Sequence, residues 1–397
     1  MLKTRSTEPQ LFILLLLASF ASVSAVLYTP ALPEMAKSLR ISDSQAQLSM
    51  TAFLIGYAIG NLPYGPFSNR YGRKPTIYVG ILLAIVGTLL ILLAGALQVF
   101  GVLILGRFIA GLGSSVGLKI TFTMIGDVYS STNATKKISY VMLSFAIAPG
   151  LAIALGGQLT SQWGWESCFY FLAAYSAFLF LLSLLLPETS QEKDLEALNC
   201  TKIASGLLKK LKNKQLVTCA VIMGCATSFV YLFASEAPFI GINTIGLHAD
   251  TYGFLNFIPP LGMIVGSFLA LQLAGKRGIL SIMMLGMWIA LMGTAVMLGL
   301  FLMDVVNSWS LFFPMPFIYI GLSLIFPNVS GLAMSGAKNK SNASAVMNFI
   351  NMGISVVALL AIESLPTHQA YVLPLFFLFL GFLMLILRKM SLERGPI

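Results

Sequence analysis

The sequence predicts an all-α membrane protein of twelve transmembrane helices in two pseudo-symmetric six-helix halves. Its 397 residues are 57% hydrophobic and only 10% charged, and the mean hydropathy is +0.88. A soluble domain of this length needs far less apolar surface. Twelve apolar runs follow one another, at 11–29, 46–65, 76–97, 100–122, 139–160, 167–186, 216–236, 252–273, 279–301, 309–334, 343–362 and 371–388. Each approaches the roughly 20 residues that cross a hydrocarbon core as a helix. A single long polar stretch divides them six and six.

The first run follows Lys3 and Arg5 and passes Ser22-Val23-Ser24-Ala25, an acceptable cleavage site for a secretory signal. Eleven further runs, and the continuation through Tyr28, Pro30 and Pro33, favour a first span instead. Between the second and third runs lies Gly65 to Pro75, reading Gly-Pro-Phe-Ser-Asn-Arg-Tyr-Gly-Arg-Lys-Pro. Its glycines and prolines permit a sharp reversal. The fourth run carries Arg107, Lys119 and the small residues Gly106, Gly111, Gly113 and Gly117; with Gly56 and Gly60 of the second run, these allow backbones to approach closely. Pro149 lies in the fifth run, and the sixth ends at Pro187.

The polar stretch at 188–215 reads as a cytoplasmic central loop between an N-terminal half, 1–187, and a C-terminal half, 216–397. A shift of 206 residues lays Gly56 on Gly262, Gly60 on Gly266 and Arg70 on Lys276. Ala274-Gly275-Lys276-Arg277-Gly278 is then a degraded copy of the first turn, and two parallel repeats are expected. In the second half, Pro238, Pro259, Pro260, Pro314, Pro316 and Pro327 remove backbone donors and kink or end helices.

Charge fixes the expected orientation. Placing the N-terminus inside puts 20 of the 24 Lys and Arg residues on the cytoplasmic side, as membrane proteins prefer. Both termini are then cytoplasmic in a multi-pass protein of the inner membrane. The net charge of +10 is thereby a topological signal, and no nucleic-acid partner is expected. Cys168, Cys200, Cys219 and Cys225 form no disulfide framework. His248 and His368 sit near span ends, and no His/Cys cluster with metal-ligand spacing exists, so no metal site is expected. A Gly-x-x-x-x-Gly-Lys-Ser/Thr loop is absent, and no nucleophile-base-acid set marks an enzyme.

Several stretches carry a family resemblance. Gly65 to Pro75 resembles the loop 2–3 signature Gly-x-x-x-Asp-Arg-x-Gly-Arg-Lys of the major facilitator superfamily, with Gly65, Asn69, Arg70, Gly72, Arg73 and Lys74 at its positions. Leu105 to Gly113 is similar to the span 4 signature with its embedded arginine, and Ala148-Pro149 with Gly156-Gly157 to the antiporter signature of span 5. Smaller echoes are Leu186-Pro187-Glu188-Thr189, Ala237-Pro238-Phe239, Phe326-Pro327-Asn328 and Asn342-Ala343-Ser344-Ala345. As a set they resemble the twelve-span drug:proton antiporter branch, closest to the bicyclomycin and chloramphenicol resistance transporters. Departures are Asn69 for the usual aspartate, Ala110 for a glutamine, Ala152-Ile153 for Gly-Pro, and Glu166 for the arginine after Trp165. The acidic residue often found in span 1 would fall at Val26. Asp127 matches the family's aspartate at the inner end of span 4 and is expected to contact the loop.

The resemblance implies a major facilitator fold around a central cavity. Ionisable residues inside spans are functional candidates by default. Arg107 is assigned to gating or coupling, or else to a structural clamp on backbone carbonyls. Lys119 either faces the cavity or snorkels toward an interface. Glu236 is the carboxylate best placed for proton coupling; its alternative is an interfacial contact. Tyr28, Tyr57, Asn61, Lys119, Tyr231, Asn256, Phe257, Asn348 and Asn351 complete the expected cavity, the last two sharing a helical face.

The function that follows is a proton-coupled secondary transporter with alternating access, moving a small amphipathic drug or metabolite out of the cell. It needs no cofactor beyond the proton gradient and works in the lipid bilayer as a monomer. A runner-up keeps the fold and carries an anion or zwitterion, such as a carboxylate siderophore or organic acid, possibly by import. A channel is the distant alternative.

Overall fold

Proline, glycine and a few hydroxyls decide where the apolar runs bend. The computed structural model describes residues 8–190, 194, 197–199, 208–335, 340–365 and 369–391. Lys3, Arg5, Cys200 and His368 lie outside the described residues, as does much of the central loop expected at 188–215. Helix α1 (Leu11–Val26) passes through a tight turn at Thr29–Ala31, set by Pro30, into α2 (Leu32–Ser38). Helix α3 (Asp43–Gly60) opens on a reciprocal cap in which Ser42 Oγ accepts from the Gln45 amide at 3.2 Å and Gln45 Oε1 accepts from the Ser42 amide at 2.9 Å. Helix α4 (Tyr64–Tyr71) and α5 (Arg73–Leu97) flank Gly72.

The fourth run is a broken rod, α6 (Phe100–Ser114) and α7 (Val116–Val128). At the break Ser114 and Ser115 turn their hydroxyls back onto the carbonyls of Ala110 and Leu112, at 2.7 and 2.9 Å, a contact that bends helices. Helices α8 (Ser131–Trp163) and α9 (Glu166–Ser183) complete the first six runs. Helix α10 (Lys214–Pro238) gives way to a π-helical turn at Phe239–Thr244. The next run is divided ahead of Pro259 into α11 (Ala249–Leu255) and α12 (Ile258–Leu273), because Pro259 and Pro260 have no N–H to donate to the carbonyls of Leu255 and Asn256. Then come α13 (Ile279–Leu302), α14 (Ser308–Phe312), α15 (Met315–Met334), α16 (Lys340–Glu363) and α17 (Val372–Ser391).

Among the described residues, eleven helical stretches are long and apolar enough to cross a membrane. The expected run at 46–65 corresponds to α3, which is not among them. Gln45, Gln47, Ser49 and Thr51 dilute its first half, yet Gln47, Ser49 and Thr51 are buried. Its polarity is used inside the protein.

The repeat is written in glycine contacts. A Cβ on Gly56 would meet the Phe108 carbonyl of α6, and one on Gly262 the Pro316 carbonyl of α15. Gly60 lies likewise on Leu112, and Gly266 on Ile320. The same shift of 206 residues carries Gly80 onto Gly286 and Gly87 onto Gly293. Gly80 backs onto Gly113, and Gly286 onto Gly321. Helices that pack without side chains between them approach closely, and both copies use the same positions to do so.

Because the chain reverses at each connection, α3 and α12 finish at the same end of the bundle, which carries Gly65 to Pro75 together with Lys276 and Arg277. This is the basic end. At the far end the two sets of six runs meet. Thr51 of α3 reaches Glu363 of α16, Gly157 of α8 lies on Ala249 of α11, and Gly253 lies on Ile153 and Ala154.

Candidate functional site

At the basic end the turn is built as an interlocked set. Gly72 has φ +110, and any Cβ there would press on the Glu188 carboxylate, so glycine is required on both counts. Glu188 caps α5 by accepting from the Arg73 amide at 2.9 Å and the Lys74 amide at 3.1 Å, an anion at a helix N-terminus. Arg73 forms the ion pair with Asp127 of α7 at 2.9 Å and also donates to Asn69 Oδ1 at 2.8 Å. Asp127 in turn accepts from Thr189 at 2.9 Å, and the Asp194 amide donates to the Asn69 carbonyl. Asn69, standing where the resemblance expects an aspartate, accepts from Arg73 as a neutral amide. Asp127 contacts the loop, as expected. Arg70 stacks beside Tyr71.

Arg107 is 1% exposed. Its guanidinium donates to the Ser24 and Ala25 carbonyls of α1, at 3.0 and 3.5 Å, and to the Ser49 carbonyl of α3 at 3.2 Å. It is sandwiched between the Tyr28 and Phe53 rings, 4.1 and 4.5 Å from their centroids, which favours a cation. Tyr28 Oη and Ser49 Oγ share a hydrogen bond of 2.8 Å. The planar fork thus ties three helices to one another through α6. Lys119 donates to the Asn61 carbonyl and lies under Gly65, holding the end of α3. Its charge satisfies a helix terminus that has no intrahelical partner.

The far end holds the carboxylates. Glu236 sits on the last turn of α10, buried, and lines a narrow cleft of about 50 Å³ with Asp43, Phe239, Ile240, Asn243, Thr244, Gln369 and Leu373. Against it α3 presents Gln47, wholly buried and within reach of the Glu236 carboxylate. One helical turn along, Thr51 Oγ1 donates to Glu363 Oε1 at 2.7 Å, while Glu363 Oε2 has no partner. Glu363 and Asp43 lie within electrostatic reach of Glu236. Among the described residues, no Lys, Arg or His pairs with Glu236 or Glu363. Buried anions without a base demand some other neutralisation.

Helix α3 therefore serves two groups at once. Gln47 and Thr51, four apart, face the carboxylates; Ser49 and Phe53, four apart, face Arg107. Sequence reasoning found Arg107 and Glu236 but not Glu363, Gln47 or Thr51. Glu363 stands one residue beyond the apolar run 343–362, and an acidic residue at that end, facing the same side as Glu236, was the signal available.

The remaining expected cavity residues are scattered. Tyr57 lies beside Asn61, and Tyr231 comes within reach of Tyr57. Asn61 and Asn256 spend their amides on carbonyls of their own helices, Tyr57 and Tyr252, at 2.9 and 2.8 Å. Phe257 is 37% exposed and lies against Gly150. Asn351 is buried with its Oδ1 unpartnered; Asn348, one turn earlier, is half-buried. Pro149 lies inside α8, Gly156 meets the Leu27 carbonyl, and Gly157 meets α11.

A family model described as Major Facilitator Superfamily matches residues 14–362. The chain is 27% identical over 370 residues to "Multidrug resistance protein D" of Escherichia coli, covering 90% of both proteins. It is 27% identical over 253 residues to the "Bicyclomycin resistance protein homolog" of Haemophilus influenzae, covering 64% of this chain and 63% of that one. The crystal structure of a D-xylose-proton symporter superimposes with a TM-score of 0.77 at 14% identity, covering 98% and 99% of the two chains, a likeness of fold alone.

Proposed function

The chain belongs to the major facilitator superfamily, and on that premise we propose that it couples proton entry to efflux of a small amphipathic organic compound by alternating access. It is a multi-pass transport protein and not an enzyme. The observation that carries the proton reading is Glu236, a buried carboxylate with no basic partner among the described residues, lining a narrow cleft at the far end. Such a group takes up a proton from one side and gives it to the other only if its surroundings change.

The far end is read as the periplasmic face of the inner membrane, and the basic end, with both termini, as cytoplasmic; the distribution of Lys and Arg supports this. Contacts between the two sets of six helices gather at the far end, as one of two alternating states requires. The two relatives are named for drug and bicyclomycin resistance, which supports a drug-like cargo. Arg107 and Lys119 are both committed to backbone carbonyls, which weighs against an anionic cargo held by either.

A thermal-unfolding screen of charged and neutral compounds supplies the cargo, since a ligand stabilises the folded state. In proteoliposomes, Glu236→Gln should then retain exchange of labelled cargo but lose its response to an imposed pH gradient. An unchanged response in the variant rejects the assignment.

A further inference from the structure

Helix α10 widens as it ends. Pro238 has no N–H to give the Ala234 carbonyl, and the chain enters the π-helical turn at Phe239–Thr244, where the Ile245 amide donates to the Ile240 carbonyl, five residues back, at 2.9 Å. Such turns recur at functional sites. One side of this turn is packed, since a Cβ on Gly241 would press on the Tyr252 ring. The other side carries Phe239, Ile240, Asn243 and Thr244 along one wall of the cleft that Glu236 lines, and Asp43 of α3 with Gln369 and Leu373 completes it. Asn243, Thr244 and Gln369 are exposed, Asp43 is half-buried, and Glu236, Phe239 and Ile240 are buried. The cleft thus leads from the far-end surface to the carboxylate, past side chains able to hydrogen bond water. Its volume of about 50 Å³ holds a few water molecules and no organic cargo.

We propose that this cleft is the proton entrance to Glu236, with the Asp43 carboxylate as its relay, and that it works while the far end is shut to cargo; this rests on Glu236 being the proton carrier. A proton borne by water as hydronium passes to an Asp43 carboxylate oxygen and on through water to Glu236, which becomes a neutral acid as Asp43 regains its charge. The other groups facing Glu236 are Gln47 on α3 and Glu363 on α16; neither lines the cleft, and Glu363 is held by Thr51. Gly157 lies on the Ala249 carbonyl, and Gly253 on Ile153 and Ala154, so α8 and α11 meet backbone to backbone at this end. That contact shuts out cargo where the cleft still admits a proton. Loading of the acid from the far side then precedes the opening of that side and does not need it.

The test is time-resolved infrared spectroscopy of the purified full-length chain in detergent after a rapid drop in pH. A protonated-carboxyl band missing from Glu236→Gln reports Glu236, and its rise gives the rate of loading. Asp43→Asn, and Asn243→Trp, which fills the mouth of the cleft, should each slow that rise by about tenfold or more, with unfolding temperatures showing that both variants fold. In a chain whose own cysteines are replaced by serine, the pair Ala154→Cys and Gly253→Cys lies close enough for a disulfide. Its oxidation should stop cargo flux in proteoliposomes and leave the rise of the band unchanged. Unchanged rates in both Asp43→Asn and Asn243→Trp overturn the entrance. Slowing in Asn243→Trp alone overturns the relay at Asp43, and a rise lost on oxidation overturns loading in the shut state. Absence of the band from the unaltered chain rejects the proton reading of Glu236, and the entrance with it.

Discussion

Thr51 donates its hydroxyl to Glu363 Oε1 at 2.7 Å across the contact between α3 and α16. This bond joins residues 312 positions apart in sequence and ties α3 to α16. Thr51→Val keeps the shape and removes the donor. It should cost about 1 kcal/mol in the state described here and increase labelling, by a membrane-impermeant thiol reagent, of a cysteine placed at Gln369. Unchanged labelling would show that the bond does not help close the far end.

Arg107→Lys should lose most transport while Arg107→Ala loses all of it. One ammonium cannot reach the carbonyls of Ser24, Ala25 and Ser49 together and cannot stack flat between Tyr28 and Phe53. Each abandoned carbonyl costs about 1 kcal/mol or more, so the unfolding temperature of both variants should fall. Near-normal flux in Arg107→Lys would show that the charge alone suffices.

Gly56→Val and Gly262→Val make a matched pair. Each drives a side chain into a backbone carbonyl, of Phe108 or of Pro316, and overpacking of this kind costs about 1–3 kcal/mol. Similar losses of thermal stability are expected in the two variants. A tolerated Gly262→Val would break the equivalence of the repeats at this contact.

Gly72→Ala meets two obstacles, a left-handed backbone at φ +110 and the Glu188 carboxylate. A loss of about 1–3 kcal/mol is expected, and the unfolding temperature of the purified variant measures it. Asn69→Asp acts in the opposite sense. It gives Arg73 a charged acceptor in place of an amide, worth up to about 1 kcal/mol at a partly exposed site, and the gain should shrink in high salt.

The fold was legible because membrane helices announce themselves by composition, and the repeat because glycine at Gly56, Gly60, Gly262 and Gly266 cannot be replaced without moving a helix. Arg107 and Glu236 were legible for a related reason: a charge inside an apolar run stands out. Gln47 and Thr51 carry no charge, and nothing in their spacing distinguishes a buried amide that faces a carboxylate from one that bonds its own helix, as Asn61 and Asn256 do. Glu363 fell just outside a run whose end was drawn from hydropathy. The sequence leaves Lys119 facing either a cavity or an interface, and the Asn61 carbonyl it meets has no signature there.

The polarity of α3 bears on how the protein is made. A segment with Gln45, Gln47, Ser49 and Thr51 in its first half gains little by entering lipid alone. Its glycines lie on α6, and Ser49 offers its carbonyl to Arg107 of the same helix. Packing on the fourth run therefore favours α3 in the membrane, and the arginine that is costly in lipid by itself meets in α3 a segment that accepts it. The fourth run is apolar enough to cross a membrane by its composition, so it supplies the hydropathy and α3 the polar partners that its arginine needs.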